Sequence, residues 1–226
     1  YGNLPPVASK FFDAVFFDMD GLTINSEPQW LEAEIELTAP YGYNWTTEDQ
    51  AACLGGPLWR VGQYMSNVCG GVKDGPYFHD AIVDLMATKV RNFADFMPGA
   101  KSLLTQLNEA RVPLALVSAS PRIIVDAALS HVKPIPFKMT ISSDDVKETK
   151  PNPEAYLKAA SMLNVDIGNC LILEDSATGV KAAQASGAKV IAVPHLVKIS
   201  EDAQTKIVHS LEELSYAKLQ EIYLNW

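Results

Sequence analysis

Four short stretches hold residues whose types and spacing could do chemistry. "FFDMDG" (16–21) sets two carboxylates, Asp18 and Asp20, one residue apart at the end of an apolar run. "LVSASP" (116–121) ends another apolar run in Ser118, Ala119 and Ser120. "TKPNPEAY" (149–156) carries Lys150, and "LILEDSATGV" (171–180) ends a third run in Glu174 and Asp175. Each has an ordinary explanation by itself. Asp-Gly favours turns for backbone reasons alone, serines ahead of Pro121 could cap a helix, and KPNP could be a stiff entry to one. Jointly those explanations are weak. Asp18, Asp20, Glu174 and Asp175 brought together would raise one another's pKa values, and one lysine does not balance them. A hard divalent cation does, and all-oxygen ligation favours Mg²⁺. Mg²⁺ with few protein ligands usually pairs with a phosphate, whose other oxygens could take Lys150 and the hydroxyl and amides around Ser118. The chemistry such a set suits is phosphoryl transfer, where positioning and charge neutralisation do most of the work.

These residues converge only if particular elements carry them. Five brief apolar runs, at 13–18, 113–119, 137–143, 170–176 and 189–194, read as buried strands without strict alternation, the pattern of parallel strands covered on both faces. Helical patterns lie between the later ones. The segment 98–111 repeats Leu103, Leu104 and Leu107; 152–164 has Asn152 at an N-cap and Pro153 in the first turn; 178–187 is stopped by Gly187. The alternation predicts an α/β fold with a doubly wound parallel sheet. In such sheets ligands bind beyond the carboxyl ends of the strands at the switch point, which is where the polar residues fall. The interval 28–97 is helical or loop-like and holds no run that looks like a buried strand. It is far longer than an ordinary βα loop, so it reads as an inserted all-helical subdomain. The expected division is an α/β core of residues 1–27 and 98–226 and a helical cap of 28–97.

Composition narrows the function classes. The chain has 226 residues, is 48% hydrophobic and carries a formal net charge of −9, which suits a globular protein and makes duplex nucleic acid an unlikely partner. An anionic small substrate stays open, because local charge outweighs the net value. Three cysteines, Cys53, Cys69 and Cys170, form no CxxC motif and cannot all pair, so neither a disulfide framework nor structural zinc is expected. No apolar run reaches membrane-span length, and "YGNLPPVASK" lacks the pattern of a signal peptide. A cytoplasmic monomer or weak oligomer, with no membrane partner, is the expectation. His79, His131, His195 and His209 are scattered and draw no assignment.

"FFDMDGLTINSEP", "LVSASP", "TKPNPEAY" and "LILEDSATGV" together resemble the four signature motifs of the haloacid dehalogenase superfamily, in order and in spacing. The likeness is to the branch of phosphatases and β-phosphoglucomutase-like enzymes with a helical cap after the first motif, and it covers nearly the whole chain. The resemblance implies a Rossmann-like core and an aspartyl-phosphate intermediate. It implies Asp18 as nucleophile and Asp20 as general acid/base. Asp18, the Asp20 main-chain carbonyl and Asp175 would hold Mg²⁺, with Glu174 in support. Ser118 and the Ala119 amide would hold phosphate oxygens, and Lys150 would neutralise nucleophile and phosphate. The substrate implied is a small phosphorylated metabolite of the sugar-phosphate kind.

The chain departs from the family pattern at Thr23, at Asn25, where many members have Asp, and at Trp30, where mutase-like members tend to have His. The last departure favours hydrolysis over the alternative, a β-phosphoglucomutase-like isomerase. A non-enzymatic phosphoaccepting receiver-type module shares the acidic cluster and the lysine, but the large insert and Asp20 argue against it. Specificity is expected from the cap. "CLGGPLWRVGQYM" (53–65) reads as a cap loop facing the site, with Gly55 and Gly56 allowing close approach and Arg60 available to a second anionic or hydroxylated group; the plainer reading makes Arg60 a solvated helix residue.

Overall fold

A computed structural model describes residues 11–226. The first ten residues, and with them the segment read as lacking a signal peptide, lie outside the described part.

Six parallel strands form the central sheet: β1 (Ala14–Phe17), β4 (Leu114–Val117), β5 (Met139–Ile141), β6 (Cys170–Glu174), β7 (Lys189–Ala192) and β8 (Thr205–Ile207). Their spatial order is β5-β4-β1-β6-β7-β8. Two more strands, β2 (Ile24–Asn25) and β3 (Asp95–Phe96), pair antiparallel in a separate two-stranded ribbon. The sequence reading found five of the six sheet strands and missed β8, whose three residues "TKI" include two polar side chains. It earns its place by pairing with β7 through backbone bonds, not by apolar content.

The strands read as continuous apolar runs because both faces of the sheet are covered. Successive side chains point to opposite faces. Val15 and Phe17 of β1, Leu114 and Leu116 of β4, and Leu171 and Leu173 of β6 enter one core cluster. Ala14 and Phe16, Ala115 and Val117, and Cys170 and Ile172 enter the other.

Helices α5 (Ala100–Glu109), α6 (Arg122–Leu129), α7 (Glu154–Leu163), α8 (Ala177–Ser186) and α9 (Tyr216–Leu224) belong to the α/β part. Helix α7 begins one residue later than the capping pattern implied. Asn152 still serves its start, with Oδ1 accepting from the Glu154 amide at 2.9 Å, while Pro153 occupies the cap position. Ser176 caps α8 by accepting from the Gly179 amide at 3.0 Å, and Gly187 ends it in the left-handed region at φ 91°.

Between β2 and β3 lie α1 (Glu27–Thr38), α2 (Thr47–Cys53), α3 (Leu58–Val68) and α4 (Gly75–Phe93), with no strand among them. They form the helical cap. The chain enters and leaves it through the short ribbon, where Ile24 faces Phe96 and Asn25 faces Asp95, and α4 packs against α6 of the core. The segment 53–65, expected as a loop, is mostly helix: only Leu54–Pro57 separate α2 from α3. Two glycines and a proline suggested an extended loop, yet the spacing of Leu58, Val61, Gly62 and Met65 buries one helical face.

Candidate active site

The carboxyl ends of β1, β4 and β6 meet at the point where the chain reverses direction across the sheet. Asp18 follows β1, and its amide donates to the Leu173 carbonyl at 3.1 Å, so the loop leaves the strand in fixed register. Thr23, fully buried, donates its hydroxyl to the Asp18 carbonyl at 2.6 Å. That bond accounts for a polar residue at this position: it closes the turn that aims Asp18. Gly21 takes φ 76°, and a Cβ there would stand 2.5 Å from both Asp175 Oδ2 and Glu27 Oε1. Glycine therefore permits both the turn and the approach of two carboxyls.

Lys150 is buried among the acids. Its Nζ lies 2.8 Å from Asp18 Oδ1, 2.5 Å from Glu174 Oε1 and 2.8 Å from the Val117 carbonyl. Burial works against its charge, but Asp18 and Glu174 outweigh that and hold its pKa above the ordinary lysine value. Burial pushes the Glu174 carboxyl up to about 7, with Asp18 adding to the rise and Lys150 opposing it. The Tyr156 hydroxyl also donates to Glu174 Oε1. Asp175 is raised well above the ordinary carboxylate value by burial and by the charges of Asp18 and Glu174. Gly179, in the first turn of α8, leaves room for the Glu174 carboxyl, since a Cβ would overlap both of its oxygens.

Asp20 sits at a second level, toward the cap. Its Oδ1 accepts from Ser26 Oγ at 2.6 Å and Trp30 Nε1 at 3.0 Å, and its Oδ2 accepts from Ser120 Oγ at 2.8 Å. Burial raises its pKa and the charge of Asp18 adds to that, against the lowering effect of the three donors. Ser120 thus orients Asp20. It does not cap α6, whose N-cap is Pro121 with no side-chain bond.

The site opens into a cavity of about 70 Å³. Asp18, Asp20, Lys150, Asp175, Ala119 and Ser120 line its sheet side. Glu27, Trp30, Glu34, Gln50, Leu54 and Leu58 are among the cap residues on the other side. Ser118 lies behind the wall, 2% exposed, its Oγ accepting from the Ser120 amide at 3.0 Å. Arg60 lines a neighbouring groove with Trp59, Gln63 and Asn67, and is itself exposed. Gly55, at φ 69°, makes the close approach expected of it, against the Ser176 hydroxyl of the core.

One carboxyl oxygen each from Asp18, Glu174 and Asp175 can be chosen so that all lie within 4.8 Å of one another. Glu174 Oε2 and Asp175 Oδ2 are buried without a hydrogen-bond partner. Unpartnered buried carboxyl oxygens are costly, and a hard cation satisfies such a set with the ligand type it prefers. The residues fit Mg²⁺.

With this geometry in place, the comparisons with known proteins decide the family. A model of haloacid dehalogenase-like hydrolases matches residues 15–193. The chain belongs to that family. The chain is 30% identical over 208 residues to a bifunctional riboflavin kinase/FMN phosphatase of Arabidopsis thaliana, covering 91% of its own length but 53% of the longer plant protein. It is 29% identical to hexitol phosphatase B of Escherichia coli K12, over 80% of the chain and 83% of that protein. Its fold matches a crystal structure of CbbY from Rhodobacter sphaeroides, in complex with xylulose-1,5-bisphosphate. The TM-score is 0.80 at 24% identity, covering 92% of this chain and 99% of that one. Among the described residues, no helix is long and apolar enough to cross a membrane, and the three cysteines are free.

The sequence signals named Asp18, Asp20, Lys150, Glu174 and Asp175 and missed their supports. Ser26, Trp30 and Ser120 gather on Asp20 from two separate segments. No signal in the sequence assigned a role to Tyr156, Glu27 or Glu34.

Proposed function

We propose that the protein is a Mg²⁺-dependent phosphatase that hydrolyses a small phosphorylated metabolite, a sugar or polyol phosphate, through an aspartyl-phosphate on Asp18. The observation that carries the reading is the division of labour between two acids opening into one cavity. Asp18 is tied to a buried ammonium, while Asp20 is bound to three neutral donors and has a raised pKa. The ion pair with Lys150 fixes the Asp18 carboxylate as the nucleophile. A carboxyl with a raised pKa can carry a proton.

In the first step an Asp18 carboxylate oxygen forms a bond to phosphorus as the ester P–O bond breaks, and Asp20 gives its proton to the departing alcohol oxygen. In the second, Asp20 takes a proton from water as the water oxygen bonds to phosphorus. The Asp18–phosphorus bond breaks, inorganic phosphate leaves, and both acids return to their starting forms. Lys150 holds Asp18 in place and offsets charge on the phosphoryl oxygens, and Ala119, a residue of the cavity wall, offers its main-chain amide to one of them. Asp18, Asp175 and the Asp20 carbonyl, with Glu174 in support, would hold Mg²⁺, which would supply further charge neutralisation when bound.

The test is phosphate release from a panel of sugar, polyol and nucleoside monophosphates with and without Mg²⁺. Asp18→Asn, which keeps the shape and removes the nucleophile, is expected to abolish release. Full activity in Asp18→Asn would sink the proposal. A coupled assay on β-glucose 1-phosphate in which isomerisation outpaced phosphate release would replace hydrolysis with mutase activity.

A further inference from the structure

The first cap helix buries two acids where an amphipathic helix ordinarily buries apolar groups. Glu27 and Glu34 are seven residues apart, two turns along one face of α1, and are 5% and 3% exposed. Among the described residues, neither oxygen of Glu27 has a hydrogen-bond partner, nor has Oε2 of Glu34. Both residues line the cavity that holds Asp18 and Asp20. Among the described residues neither is in an ion pair, and the lysine that lines the same cavity, Lys150, is committed to Asp18, Glu174 and the Val117 carbonyl.

The rest of the cap wall has the same character. Gln50 commits its amide nitrogen to the Glu27 carbonyl at 2.9 Å, so what it offers the cavity is chiefly an acceptor oxygen. Cys53, Leu54, Leu58 and Val61 complete the wall with apolar surface. Lys150 is the single cation among the lining residues, and it belongs to the sheet side. The cap residues that line the cavity therefore present acceptors and hydrocarbon, while the cap's Arg60, close to Gly56, lines the neighbouring groove.

We infer that this wall selects the monophosphate ester of a neutral polyol, with Glu34 and Glu27 bonding its hydroxyls, and rejects esters whose leaving group bears a second phosphate or a carboxylate. The inference rests on the phosphatase reading above and names the substrate class within it. A hydroxyl supplies the donor that each carboxyl lacks. It serves an ionised acid as donor and a protonated one as donor and acceptor. Burial pushes both carboxyls up to about 8, Asp20 adding to the rise at Glu27, while at Glu34 the Trp45 indole N–H opposes the rise and Glu27 adds to it, which accords with acids whose remaining oxygens await a partner. A second phosphate or a carboxylate would instead be desolvated against this wall with no cap cation lining it to offset the charge. The selectivity comes from that missing counter-charge as much as from the hydroxyl bonds.

The test compares kcat/KM, with Mg²⁺ present, for p-nitrophenyl phosphate, sorbitol 6-phosphate, fructose 1,6-bisphosphate and 2-phosphoglycolate. The polyol ester is expected to exceed the bisphosphate and phosphoglycolate by ~100-fold or more. Glu34→Gln keeps an acceptor but removes the acid, and is expected to narrow that ratio by ~10-fold. Calorimetric titration of Asp18→Asn with the same esters gives the order of affinities without turnover and should rank them the same way. Equal use of the bisphosphate or of phosphoglycolate, or a ratio unmoved by Glu34→Gln, overturns the inference while leaving a phosphatase in place. Failure to hydrolyse any ester, p-nitrophenyl phosphate included, overturns the phosphatase reading and this one with it.

Discussion

Lys150 Nζ stands 2.8 Å from Asp18 Oδ1, though 132 residues separate the two along the chain. The same ammonium holds Glu174 at 2.5 Å, so one buried cation joins the ends of β1 and β6 and, through the Val117 carbonyl, β4. Lys150→Met is expected to destabilise the metal-free protein by about 3–5 kcal/mol, because it leaves two buried carboxyls without their counter-charge. Mg²⁺ should recover part of that loss. Denaturant melts with and without Mg²⁺ measure both quantities, and a Lys150→Met protein as stable as the parent without metal would contradict the pairing.

Asp20 is held by Ser26, Trp30 and Ser120 and has a raised pKa. If it delivers the proton to the leaving alcohol, the rate of aspartyl-phosphate formation from an alkyl phosphate falls as pH rises through that pKa. Asp20→Asn should cost ~10²–10⁴-fold with an alkyl ester and remove this limb of the pH profile. With p-nitrophenol as leaving group the loss in that first step should be smaller, since that group departs without a proton. Rapid-quench measurement of the phosphorylation step checks each point.

The buried carboxyls of Glu27 and Glu34 have a sign of their own in stability. Burial raises both folded-state pKa values from 4.5 to about 8. Between those values the folded chain binds more protons than the unfolded one, so stability declines as pH rises from about 4.5 to 8 and levels off above. Glu34→Gln removes one such group and should stabilise the ligand-free protein at pH 8 by ~1–3 kcal/mol, with little change at pH 4.5. Urea titrations at the two pH values decide it; an equal effect at both would exclude burial of an ionisable acid as the cause.

Gly55 lets the cap approach the core. A side chain there would overlap the Ser176 hydroxyl and would also have to hold φ 69°. Gly55→Ala should leave the α/β core folded while hindering cap closure, lowering kcat/KM by ~10–100-fold for substrates that need the cap to exclude water. Gly42 has a similar φ, 78°, with nothing within 4 Å of its would-be Cβ. Gly42→Ala is therefore the control that carries the backbone strain without the contact. Parallel kinetics on the two variants separate the effects.

Much of this molecule follows from local sequence. The apolar runs at β1, β4 and β6 declare parallel strands because both faces of the sheet are buried, and polar residues at their ends stand out against that background. Asp18, Asp20, Lys150, Glu174 and Asp175 were legible for this reason, as was the helical character of the insert. Strand β8 was not, since "TKI" has no apolar signature and forms a strand only because β7 offers it an open edge. Nor was the role of Ser120, whose partner Asp20 is 100 residues away. The sequence determined which groups could bind a cation and a phosphoryl group, because those are properties of residue type at a strand end. Only the tertiary structure decided which acids are paired and which stand alone. Glu32 and Glu36 of α1 meet Lys89 at 2.7 and 3.0 Å, while Glu27 and Glu34 of the same helix face the cavity with unpartnered oxygens. Four glutamates in one short segment look alike in sequence; packing α1 against α4 on one side and the active site on the other makes two of them surface ion pairs and two of them the wall of the site.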